Sequence, residues 1–152
     1  MKIAVLAHIR HAIAEPFGGG MEAHCDMLCR GLRAAGHEVD LFAAVGSHDE
    51  NLVPICAAPY DEVLPWRVYR GTSELAAYQR AAFERVLLKI GGGGYDVVHN
   101  NSLFPEIIAW CAQAYPSDAP GAPLPAYLGC RLFISSSGYR PSSLDCLQTI
   151  RA

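Results

Sequence analysis

The stretch "GGGMEAHCDMLCRGLRAAGHEVDLFAA", Gly18–Ala44, decides the fold. Met21, Cys25, Leu28, Leu32 and Ala35 recur at alternating steps of four and three residues, the spacing that gathers apolar side chains on one face of a helix. Gly36 follows, and glycine takes the left-handed geometry that ends a helix without a steric penalty. The segment "EVDLFAA", Glu38–Ala44, then reads as a strand. Upstream, "KIAVLA", Lys2–Ala7, is a short unbroken apolar run edged by polar residues, as expected of a strand covered on both faces of a parallel sheet. Strand, helix, strand is a βαβ unit.

Downstream the pattern repeats with interruptions. Val53–Cys56 reads as a short strand, although Pro54 removes a ladder donor. Thr72–Ile90 carries a second helical stripe of Leu75, Tyr78, Ala82, Val86 and Ile90, with Thr72 or Ser73 as its cap and glycines at its end. "YDVVHN", Tyr95–Asn100, gives another strand and Leu103–Tyr115 a very apolar helix. A proline-rich loop follows, then a candidate strand in "LGCRLFI" and a terminal helix with Ser142 and Asp145 spaced as a partial capping box. Alternating strands and helices predict an α/β, Rossmann-like three-layer sandwich with a mostly parallel sheet.

The 152 residues are 51% apolar with a formal charge of -3, which suits about one domain with a real core. The charged residues are spread along the chain, so no basic arm or stripe suits a nucleic-acid backbone. Arg10, His11 and Glu15 break the first apolar run before a signal-peptide core forms. No stretch approaches the roughly 20 apolar residues of a membrane span. Six scattered cysteines without a C-x-x-C pair argue against a disulfide framework and for reduced thiols in the cytoplasm. Contact with a membrane surface, at its inner face, stays open.

In an open parallel sheet, ligands bind beyond the carboxyl ends of the strands, so the loops after Ala7 and after His99 should border one crevice. Gly18, Gly19 and Gly20 carry no side chain to hold a ligand off, and the free amides and dipole of the following helix favour an anion there. The competing explanation is a tight turn needing positive φ. A dinucleotide fingerprint would start directly after the strand, and a triphosphate loop would continue G-K-[ST] where this chain has Gly20-Met21-Glu22. Neither fits.

His99 could hydrogen-bond a ligand hydroxyl or exchange a proton near neutral pH, or be a core histidine. Asn101 and Ser102, with Asn100, could bind hydroxyls or cap a helix. Arg10 and His11 are candidates for substrate or phosphate contacts, against the alternative of solvated surface residues. His8, His11, His24, Cys25 and Cys29 lie close in sequence but offer no tetrahedral set without borrowing from the long loop, so no metal is expected. The tyrosines, Trp66 and Trp110 read as packing rather than a stacking platform.

The segment "GGMEAHCDMLCRGLRAAGHEVDLF" resembles the first helix of glycosyltransferase family 4, where a Gly-Gly pair and a nearby Glu precede a helix ending in "GHEV". "YDVVHNNS" resembles a later strand of the same family, and the opening "MKIAVLAHI" stands at the matching place. The resemblance implies one half of a GT-B architecture: residues 1–125 as the amino-terminal, acceptor-side domain, 126–152 as a divergent or truncated tail packed on it, and the carboxy-terminal donor domain absent. It implies that Gly18, Gly19 and Gly20 face the diphosphate of a UDP- or GDP-hexose co-substrate, with Glu22 beside the substrate and no tightly bound cofactor. The whole enzyme would transfer a hexose to a hydroxyl acceptor.

This chain departs from the family pattern in three places. Many relatives have a second histidine where Asn101 stands; the tail holds no His-Thr-type sequence; and no pair of glutamates has the E-x(7)-E spacing of the donor domain. The chain alone is therefore expected to be inactive. Its partner would be a separate donor-domain chain, and the alternative is a non-catalytic module that binds a nucleotide or a partner subunit.

Overall fold

The computed structural model describes residues 1–104 and 131–134. Its elements run β1 (Lys2–Ala7), α1 (Gly20–Ala34), β2 (Glu38–Ala44), β3 (Leu52–Cys56), two single-turn helices α2 (Tyr60–Val63) and α3 (Trp66–Tyr69), the long α4 (Ser73–Gly92), β4 (Val97–Asn101) and β5 (Arg131–Ile134). The five strands form one sheet in the order β3-β2-β1-β4-β5, with every neighbouring pair parallel. The expected α/β sandwich is therefore present, and its described sheet is wholly parallel. The helix expected over Leu103–Tyr115, the proline-rich loop and the terminal helix with Ser142 and Asp145 lie largely outside the described residues.

Strand alternation sorts the core into two layers. Ile3, Val5 and Ala7 of β1 and Val39, Leu41 and Ala43 of β2 pack with Cys25 and Cys29 of α1. Ala4 and Leu6, with Phe42 and Ala44, face the other way onto Leu75, Ala82, Phe83, Val86 and Ile90 of α4. The central strand is thus buried on both faces, which is why it reads as an uninterrupted apolar run. Pro54 sits on β3, an edge strand in the described sheet, where a missing ladder donor costs least. Thr72 caps α4 by accepting the Leu75 N–H at 3.3 Å, and Gly36 ends α1 with φ +86°.

The apolar stripe of α1 differs from the expected one. Ala35 lies outside the helix and is exposed, and Leu28 and Leu32 are half-buried. The fully buried line is Glu22, Cys25 and Cys29. The buried face is rotated by part of a turn from the Met21–Ala35 stripe, because it takes in a charged residue that apolar spacing does not count. In α4 the half-buried Tyr78 gives way to Phe83, which is 1% exposed.

Candidate functional site

The connection from His8 to Gly19 carries no regular structure but is folded. Ile9 and Ile13, each 1% exposed, drop into opposite core layers, so the chain between them crosses the carboxyl end of the sheet. Backbone hydrogen bonds fix it: the Tyr60 N–H donates to the Ile9 carbonyl at 2.8 Å and the His48 N–H to the Ile13 carbonyl at 2.8 Å. Ser47 Oγ accepts the Ile13 N–H at 2.9 Å. Arg10 and His11 are held between these two anchors.

Arg10 is positioned from two sides. Its Nε lies 3.5 Å from Asp61 Oδ2, and its guanidinium sits 4.8 Å from the centre of the Trp66 ring. The Asp61 carboxylate accepts the Trp66 N–H at 2.5 Å, and that bond, more than the nearby Arg10, holds its acid strength above the ordinary value. His11 Nε2 is 3.9 Å from the same carboxylate. Arg70 stacks on Trp66 too, 4.7 Å from the ring centre.

His8 and Glu22 form a buried pair. His8 Nδ1 accepts the Arg10 N–H at 3.2 Å, so the ring proton of the neutral imidazole is on Nε2, which faces Glu22 Oε1 at 3.0 Å. Burial pushes the proton affinity of His8 down, and this outweighs the attraction of Glu22. A neutral histidine donating to a carboxylate is the arrangement that follows. The carboxylate also gains from the positive end of α1, in whose first turn Glu22 stands.

The glycines have individual reasons, none of which is a turn needing positive φ, since Gly18, Gly19 and Gly20 are absent from the left-handed residues. A side chain at Gly18 would press the His11 ring at 3.2 Å, and one at Gly19 would meet Glu22 Oε2 at 3.1 Å. A side chain at Gly20 would meet nothing within 4 Å. Two of the three therefore make room for the site's own side chains, and the third faces open space.

At the tip of β4, Asn100 Oδ1 accepts both the Ser102 N–H, at 3.0 Å, and the Ser102 hydroxyl, at 2.6 Å. Ser102 Oγ in turn accepts the Phe104 N–H at 3.1 Å. These bonds hold Leu103 at φ 59°, a conformation that costs a branched residue about 1–2 kcal/mol. Asn101 points elsewhere: its amide donates to Cys25 Sγ at 3.5 Å under α1.

These parts surround a cavity of about 360 Å³ beyond the carboxyl ends of β1 and β4. One wall is Gly18, Gly19, Gly20 and Glu22; a second is Arg10 and His11; a third is Tyr60, Trp66 and Gln79; and Ser102 and Leu103 close the rim. Seven sequence candidates thus meet there: Arg10, His11, the three glycines, Glu22 and Ser102. His99 and Asn101 do not line it. β4 runs two residues past His99, which pairs in register with Val5, and its Nε2 is buried without a hydrogen-bond partner. Burial, then the nearby His24, lowers its proton affinity.

Sequence reasoning missed His8, Tyr60, Trp66 and Gln79. Only Gln79 left a signal: it is a polar residue four positions from both Leu75 and Phe83 on the buried face of α4. Among the described residues no group of three or more His, Cys, Asp or Glu side chains could hold a metal ion, and no helix is long and apolar enough to cross a membrane.

A sequence model of Glycosyltransferase Family 4 matches residues 18–127. The chain belongs to glycosyltransferase family 4. No curated protein matches it. The family 4 match opens at Gly18, the first glycine of the cavity wall, and takes in α1 and β4, so the two stretches whose resemblance was legible flank one cavity. Arg10 and His11 precede the matched span. Their place at the cavity follows from the folded loop alone.

The two lowered histidines give a pH dependence. Both bind a proton less readily folded than at the ordinary value near 6.5, so below that pH the unfolded chain takes up more protons and stability falls with acid. Their contribution is fully present above about pH 6.5 and is lost as pH drops below it. The melting temperature should fall between about pH 7 and pH 5. A flat profile in thermal melts would contradict the lowered proton affinity of the two rings.

Proposed function

We propose that this chain is the acceptor-side domain of an enzyme that transfers a hexose from a nucleotide-sugar to a hydroxyl group, with the donor held chiefly by a second domain. The observation that carries this reading is the meeting of the glycine wall, at the amide-rich end of α1, with the tip of β4 over one cavity. Gly20 leaves open the approach to that helix end, where backbone amides and the dipole attract an anion such as the diphosphate of UDP- or GDP-hexose. The same groups would stabilise charge growing on the leaving diphosphate. Glu22, with one oxygen fixed by His8, is an acceptor for a sugar hydroxyl. His99 takes no direct part in this scheme, because it does not line the cavity.

Calorimetric titration with UDP-, GDP- and ADP-sugars tests the reading, first on the chain and then with a candidate donor domain added. Binding in either arm supports it, and binding only in the second identifies an acceptor-side subunit. A folded sample that binds none of them in both arms rejects it. Gly20→Ala sharpens the test. At the first helical position alanine is favoured over glycine by up to about 1 kcal/mol, so the melting temperature should hold or rise while nucleotide-sugar affinity drops. Gly19→Ala should lose the stability gain, because its methyl group meets Glu22.

A further inference from the structure

The cavity has a polar wall that neither the glycines nor the family match explains. On α4, Leu75 and Phe83 are 5% and 1% exposed, as is the rest of their stripe, Ala82, Val86 and Ile90. Gln79 stands four residues from both, near the middle of that stripe, where the helical period calls for an apolar side chain. Instead it is half-buried and lines the cavity. Its amide makes no hydrogen bond to the described residues. Its carboxamide is not sealed from solvent, so it stands at the cavity with both its donor and its acceptor free for a ligand.

In the same cavity, the Arg10 guanidinium is fixed by Asp61 and by the Trp66 ring. Its Nε is buried and makes no good hydrogen bond, since the Asp61 contact is long. An arginine braced in this way keeps the rest of its fork ready for an oxyanion, with little side-chain entropy left to lose. His11, also on this wall, adds a further donor.

We infer that Gln79 and Arg10 are specificity-determining residues for an acceptor that is both anionic and polyhydroxylated: Arg10 takes its phosphate or carboxylate, and Gln79 reads a ring hydroxyl as donor and acceptor at once. The inference rests on the proposed acceptor-side role of this cavity and adds the chemical class of the acceptor. Trp66 and Asp61 are positioning residues that act through Arg10.

The test compares matched probes on the full chain: glucose against glucose 6-phosphate, myo-inositol against inositol 1-phosphate, glucose against glucuronate, and inorganic phosphate alone, by isothermal calorimetry or ligand-observed NMR. The charged member of at least one sugar pair should bind about tenfold tighter than its neutral parent, and tighter than inorganic phosphate. Arg10→Gln should remove the difference between charged and neutral probes. Gln79→Leu should weaken both members alike while leaving the melting temperature unchanged or higher, since leucine continues the apolar stripe.

A purely structural Gln79 would give the reverse, with lowered stability and unchanged binding, and that result overturns the inference. So does equal binding of charged and neutral members in every pair, or retention of the difference in Arg10→Gln. Because no nucleotide-sugar enters these arms, their failure is separable from failure of the transferase reading. Donor binding without charge discrimination sinks only the acceptor class, and charge discrimination without donor binding sinks only the transferase.

Discussion

Glu22→Ala is expected to cost about 2–3 kcal/mol of stability, the range for a buried hydrogen bond to a charged group. The loss has two sources. His8 Nε2–H, whose charged partner among the described residues is Glu22 Oε1 at 3.0 Å, would be left buried with its proton unshared, because Nδ1 is already committed to the Arg10 amide. The end of α1 would also lose its acidic first-turn residue, worth about 0.3–1 kcal/mol against the helix dipole. Glu22→Gln separates the two, since its amide oxygen still accepts from His8 while the charge is gone, and it should cost no more than about 1 kcal/mol. Removing the carboxylate takes away an influence that raises the proton affinity of His8, so its imidazole should titrate lower still in the Gln variant. Denaturant unfolding gives the first quantity and NMR titration of the His8 ring the second. A Glu22→Ala protein as stable as its parent would mean that the pair is not formed.

The same glutamate shows where sequence reading stops. β1, β2 and the capped start of α4 were legible because each is governed by local rules: unbroken apolar runs for strands covered on both faces, and a threonine whose hydroxyl reaches the third amide of its helix. The Gly-Gly-x-Glu segment could be placed at the mouth of a helix, but its charge could not be placed inside the protein, since the residue that makes burial tolerable, His8, belongs to another element. Asn101 and Ser102 illustrate the same difficulty. Adjacent in sequence and of similar chemistry, they turn to different partners, one to Cys25 under α1 and the other into the Asn100 turn at the cavity rim. β4 ends at Asn101, so strand alternation does not reach Ser102, and only its turn places it. Arg10 was a candidate without a mechanism until Trp66 and Asp61, some fifty residues away, were brought beside it by two single-turn helices that carry no amphipathic period of their own.

The link between α4 and the cavity rim predicts the largest single effect. Phe83 is 1% exposed and stacks on Phe104 with ring centres 4.7 Å apart and planes inclined by 18°. Phe104 is also the residue whose amide is held by Ser102 Oγ, so this ring pair fastens the left-handed turn at Leu103 to the core. Phe83→Ala should cost about 3–5 kcal/mol, a large share of the 5–15 kcal/mol that holds a domain folded. Phe83→Leu, which keeps most of the volume, should cost less than half as much. The two variants also predict a local consequence: without the stacked ring, Leu103 is freed from a conformation it adopts only under constraint, and amide exchange at residues 102–104 should accelerate more than exchange in β1. Hydrogen exchange measured where Phe83→Ala is still folded distinguishes this from general destabilisation. Uniform acceleration across β1 and the β4 tip would show that the aromatic pair supports the core but does not set the shape of the rim.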